Sequence, residues 1–176
     1  GDQAPRALEV YRVALAAALA SRVLIISIGF LMNLRDLLES PPDAASTHGG
    51  ADLVRRKVKQ LVVMGGQFPQ SDPQNGEYNF AAFGAGPDTQ FVVENWPTPI
   101  LFTGFELGGA FKTGRKLALT PAANTVRLAY ELYTGGAGRE SWDLTAVLAA
   151  VRPAELYWDI VTDGSCVVAP NGIIGL

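Results

Sequence analysis

The residues best suited to chemistry lie in Met64–Phe80, MGGQFPQSDPQNGEYNF. Gly65 and Gly66 follow an apolar run and permit a tight turn with close backbone approach. Glu77 and Asn79 have one residue between them, so in an extended chain they point to the same side. A carboxylate and an amide held together suit a polyhydroxyl ligand such as a sugar. The same composition also reads as a solvated loop with Asn and Gly as turn residues. Other candidates are sparser. Asp143 sits just after Ser141 at a helix start, where a carboxylate complements the helix dipole. Trp142 beside it reads as a packed aromatic or as a stacking platform. Glu106 follows a strand and takes no assigned role. His48, the one histidine, stands in a Pro/Ser/Gly loop and reads as solvent-exposed rather than catalytic.

The elements that must position these residues alternate between helix and strand. Residues 5–20 carry Leu8, Tyr11, Leu15 and Leu19 at helical spacing behind Pro5. Residues 22–28 (RVLIISI) form a continuous β-branched run, the pattern of a strand covered on both faces. A short helix over 31–38 and a loop over 40–50 follow. A basic helix over 52–59 leads to a second buried strand at 60–64. A long polar segment spans 67–79. Then come a helix at 87–95, a third strand at 98–103, helices at 124–133 and 141–151, and a final pair of short strands within 155–168. The expected fold class is α/β, one domain with a mostly parallel sheet flanked by helices. Ligands of open α/β sheets sit beyond the carboxyl ends of the strands. Residues 29–33, 65–79 and 104–106 fall there.

Composition narrows the function. The net charge of −3 gives no strong pull toward nucleic acid or a membrane surface. Cys166 is the only cysteine, which excludes an intramolecular disulfide and a cysteine-based zinc site. The longest apolar stretch, residues 13–28, is interrupted by Ser21 and Arg22 and reads as helix then strand, not as a membrane span. No signal peptide is visible: Gly1 to Arg6 are polar and lead into a helix. The compartment stays open.

Four segments together resemble the inosine–uridine-preferring nucleoside hydrolases. MGGQFP…GEYNF is similar to that family's MGG…E-[FYW]-N segment, and GFLMNL at Gly29–Leu34 to its G-x-L-T-N-[LI] turn. WPTPILFTGFELG at Trp96–Gly108 resembles the strand ending in G-[LF]-[DE], and SWDLTAVL at Ser141–Leu148 the late helix start with its Asp. The matches occur in the family's order and span nearly the whole chain. The resemblance implies a nucleoside-hydrolase-like fold, a bound Ca2+ and cleavage of the N-glycosidic bond of a ribonucleoside. It implies Asp143 and the backbone carbonyl of Met32 as metal ligands, and Glu77 and Asn79 as holders of ribose hydroxyls. Self-association into a homo-oligomer is also common in the family.

The chain departs from the pattern in two places. The family's cluster D-x-D-x-x-x-D-D, which supplies most calcium ligands and the general base, is not in this sequence; Asp2 stands alone. The domain is therefore expected to be incomplete, with the general base unassigned, Ca2+ not held by this chain alone, and an unpaired or partner-covered sheet edge. A processed, truncated or incompletely determined chain is the expected reason for the missing start Met. Trp142 also occupies a position where many members carry a His that protonates the leaving base. Two functions compete: a calcium-dependent nucleoside hydrolase, or a non-catalytic truncated hydrolase scaffold that acts as a sugar- or nucleoside-binding protein or as an interaction protein.

Overall fold

The computed structural model describes residues 3–175; Asp2 lies outside them. The chain opens with α1 (Ala7–Ala17), β1 (Val23–Ser27), α2 (Met32–Glu39), α3 (Gly50–Lys57) and β2 (Val58–Met64). It continues through α4 (Tyr78–Ala81), α5 (Gly86–Asn95), β3 (Ile100–Thr103), α6 (Phe105–Gly109) and β4 (Lys112–Thr113). Next are α7 (Thr125–Thr134), β5 (Arg139–Glu140), α8 (Trp142–Val151), β6 (Val167–Val168) and β7 (Ile174–Gly175). Single 3-10 turns at Ala82–Gly84, Arg115–Leu119 and Ala154–Leu156 join some of these.

The main sheet has the order β1-β2-β3 and is parallel throughout. Its central strand explains the architecture. Leu61, Val62 and Val63 are fully buried, so β2 must be covered on both faces. The alternation of a strand divides the cover. Leu61 and Val63 join Ile25, Leu34, Leu37, Leu53, Val54 and Val92 in the larger core beneath α1, α2, α3 and α5. Val62 and Met64 face the other way, against Ala146 of α8, with Ile26, Leu101 and Trp142 around them. The second layer is thin. Leu144, Val147 and Val151 of α8 stay exposed, and α7 buries no residue. No further strand pairs with β1 or β3 among the described residues.

Several boundaries differ from expectation for local reasons. α1 stops at Ala17 because the chain must reverse: Ser21 takes φ 50°, and the N–H groups of Ser21 and Arg22 donate to Arg56 and Lys57. α3 ends at Lys57 because Val58 is already buried and paired with Val23. The pair of strands expected within 155–168 is not formed there. Residues 154–156 make a 3-10 turn, and only Val167–Val168 is strand, pairing antiparallel with Ile174–Gly175. The β-branched run Ile160–Thr162 has no strand partner, so propensity alone does not order it. The antiparallel β4–β5 pair carried no pattern of length or alternation to announce it. No helix among the described residues is long and apolar enough to cross a membrane.

One buried cation ties the loop over 40–50 to α1. Arg12 is 1% exposed. It donates to both carboxylate oxygens of Asp43 (2.6 and 2.9 Å), to Ser40 Oγ (2.8 Å) and to the carbonyls of Ser46 and His48. A buried charge of this kind is tolerable only when paired and hydrogen-bonded. These bonds, chiefly Arg12, hold the Asp43 carboxyl down at about 2. A depressed carboxyl stabilises the fold above its ordinary value and loses that contribution as pH falls. Urea unfolding is therefore expected to weaken between pH 3.8 and about 2. Asp43→Asn should be less stable than wild type at pH 7, and the gap should close through this acid window. A gap independent of pH would refute the pairing.

Candidate functional site at the carboxyl edge of the sheet

The carboxyl ends of β1, β2 and β3 open onto residues 29–32, 65–80 and 104–106. At the end of β2 the backbone turns sharply. A Cβ at Gly65 would come 2.1 Å from Phe80 Cε1, and Phe80 is fully buried. Gly66 takes φ +77°, in the left-handed region that favours glycine. Both glycines of the MGG segment are thus dictated locally, one by contact and one by conformation.

The turn leaves backbone donors inside the protein, and Glu77 meets them. Its side chain is 4% exposed. Oε2 accepts from Gly66 N–H (3.0 Å) and from Asn79 N–H (3.0 Å), the latter as the N-terminal cap of α4. Burial pushes the Glu77 carboxyl above its ordinary value, and the backbone N–H bonds oppose that rise. Asn79 Nδ2 donates to the Met64 carbonyl (3.0 Å) and lies 3.0 Å from Met64 Sδ. The Met64 carbonyl can only accept, so this contact fixes the amide: the nitrogen faces β2 and Oδ1 faces away. Oε1 of Glu77 is in neither of the Oε2 bonds. Glu77 Oε1 and Asn79 Oδ1 are both acceptors, a pair matched to the hydroxyl donors of a diol.

The remaining sequence candidates lie along the same edge. Trp142 opens α8 and packs against the Met64 cluster. Phe105 stacks on its ring at 5.1 Å, and its Nε1–H donates to the Phe105 carbonyl (2.9 Å). The Arg139 guanidinium lies 4.9 Å from the ring centroid. A ligand ring stacking on Trp142 must compete with these neighbours. Asp143 is exposed in the first turn of α8; partial desolvation raises its carboxyl, and Arg139 pulls it back down. Met32 opens α2, and the carbonyls of a helix point along its axis toward the C-terminus. Glu106 Oε2 accepts from Phe68 N–H (3.1 Å), so Glu106 braces the loop after β2. His48 is away from this edge, paired with Asp52 at 2.9 Å.

The residues present do not by themselves make a calcium site. Asp143 is the single carboxylate among the expected ligands, against the six to eight oxygens Ca2+ takes. Among the described residues, no group of three or more His, Cys, Asp or Glu side chains is placed to hold a metal.

Three aromatics beside Glu77 and Asn79 escaped sequence reasoning as a group. Phe30 stacks on Tyr78 at 5.9 Å, and Phe83 stands edge-on to both at 6.0 and 5.9 Å. Phe83 is 86% exposed and holds φ 54°, a costly conformation for a bulky residue. No periodicity marks it; its one signal is an aromatic flanked by Gly84 and small residues after GEYN.

Comparison with protein-family models, with curated proteins and with solved structures returned no match. The site is therefore read from its own chemistry.

A raised carboxyl stabilises the fold below its ordinary value, here 4.5, and loses that contribution as pH rises through the raised value. Glu77→Gln abolishes this titration. The stability advantage of wild type over Glu77→Gln, read by urea unfolding, should shrink as pH is raised from 4.5 upward. An advantage that grows with pH would mean that the N–H bonds outweigh burial.

Proposed function

We propose that this edge binds the ribose of a ribonucleoside, and that the chain is the sugar-binding portion of a nucleoside-hydrolase-type site. The observation that carries the reading is the Glu77–Asn79 pair at the end of β2: Glu77 Oε2 is fixed by Gly66 and Asn79 N–H, Asn79 Nδ2 by the Met64 carbonyl, and Glu77 Oε1 and Asn79 Oδ1 are further acceptors beside them. Vicinal ribose hydroxyls supply the complementary donors. The aromatic group Phe30, Tyr78 and Phe83 adjoins them and favours a nucleoside over a plain sugar, because a planar base gains from contact with aromatic rings.

Hydrolysis of the N-glycosidic bond needs a base for the water and charge to stabilise an oxocarbenium-like transition state. Glu77 is committed to two backbone N–H groups and serves as a sugar acceptor rather than a base. Asp143 is an exposed carboxylate, and among the described residues it belongs to no group of three or more metal-ligating side chains. We assign Ca2+ and bond cleavage to a form in which further carboxylates join this edge, with Asp143 as this chain's contribution; the Met32 carbonyl points into α2 and is not assigned to the metal. The 176 residues alone are assigned binding without turnover.

Calorimetric titration with inosine, uridine and ribose tests the reading. Nucleosides should bind more tightly than ribose, with no free base released and no dependence on Ca2+. Asn79→Leu should lose affinity for all three. Phe83→Ala should weaken the nucleosides by about threefold to tenfold, the range of one aromatic contact, and leave ribose unchanged. Absence of binding by nucleosides and ribose alike would overturn the proposal.

A further inference from the structure

A cavity of about 470 Å3 lies along the outer edge of β3, within the size range of small-ligand sites. None of Met32, Glu77, Asn79, Trp142 or Asp143 lines it. Its walls are apolar: Phe68 behind β2, Leu101 and Phe102 of β3, Leu107, and Trp158 with Ile160 from the segment after α8. Ala149, on the sheet-facing side of α8, contributes only a methyl group to the wall. The polar groups are one-sided. Glu106, Asp159 and Asp163 line the cavity, and no Lys, Arg or His does. Glu106 uses Oε2 on Phe68 N–H, and Thr103 Oγ1 is spent on the Val63 carbonyl. The carboxylates of Asp159 and Asp163 have no hydrogen-bond or ion-pair partner among the described residues, and both residues are exposed at the rim.

The geometry points to a second binding site here, for a small amphiphilic cation: an apolar chain or ring carrying a protonated amine. The apolar walls drive burial of the body of such a ligand. The three carboxylates give its ammonium group a place at the mouth, where it stays partly hydrated and pays little desolvation. The same carboxylates repel an anion of equal shape. The ligand class differs from that of the Glu77–Asn79 edge, where neutral hydroxyls are the matching groups, so the two sites are separable by experiment.

Calorimetric titration of the 176-residue chain with phenylbutylamine, phenylbutanol and phenylbutyrate at low salt tests the inference. The amine should bind about tenfold more tightly than the carboxylate, with the alcohol between, since several exposed charges each add a fraction of that factor. Raising the salt should compress the series. Asp159→Asn with Asp163→Asn, both at exposed positions, should remove most of the amine preference without changing the melting temperature. Ala149→Leu should fill the cavity and abolish binding of all three. Cys166, the only cysteine, also lines the cavity, so bound amine should slow its alkylation. Equal affinities, no binding, or alkylation untouched by saturating amine would each overturn the site. So would hydrogen-exchange protection of Ile160–Thr162 in the free protein, since that segment would then be closed onto β3 as a strand.

Discussion

Strand β2 is buried on both faces, and most of what this protein can do follows from where that strand ends. A strand enclosed by α1–α5 on one side and α8 on the other delivers its last residues into protein, not into water. The Gly65–Gly66 turn then leaves an N–H group that needs an acceptor under cover. Glu77 supplies it with one oxygen, caps α4 with the same oxygen, and so brings Asn79 back over the end of the strand. Asn79 closes the circuit on the Met64 carbonyl. The juxtaposition of Glu77 and Asn79 is a by-product of this internal satisfaction. If this edge binds a sugar as proposed, these internal bonds fix it before the ligand arrives, which lowers the ordering cost of binding.

Charge is handled differently on the two sides of the molecule. Asp43 faces a buried Arg12 and is held strongly ionised, so it fixes a loop. Glu77 faces only backbone N–H groups inside the protein, and burial raises its carboxyl. The first arrangement is an anchor that weakens in acid. The second keeps a carboxylate under cover, where backbone N–H groups partly offset the cost of its burial.

Much of the fold was legible in the sequence. The runs VLIIS and LVVM are long, β-branched and uninterrupted, and they form the parallel strands that their pattern demands. Glu77 and Asn79 were legible because a glycine turn precedes them and their spacing is short. What their spacing did not convey is which atoms are spent: the two side chains share a neighbourhood through N–H bonds and Met64, not through an extended strand. Other features had no linear signal. Phe30 joins Tyr78 and Phe83 only because β1 and β2 end side by side. The region 155–168 failed for the opposite reason. Ile160, Val161 and Thr162 have strand propensity, but among the described residues no strand accepts their hydrogen bonds, and only Val167–Val168 pairs, with Ile174–Gly175.

The shared oxygen of Glu77 offers the most direct test. A nitrogen–proton NMR titration with inosine should move the backbone N–H signals of Gly66 and Asn79 together, with one midpoint, because both donate to the same carboxylate. The Asn79 side-chain amide should stay bonded to Met64 and shift with them. Movement of these signals at one midpoint is the result expected of a preformed sugar site on Glu77 and Asn79. Saturation by inosine that leaves Gly66 and Asn79 unmoved would place the ligand elsewhere and contradict the account.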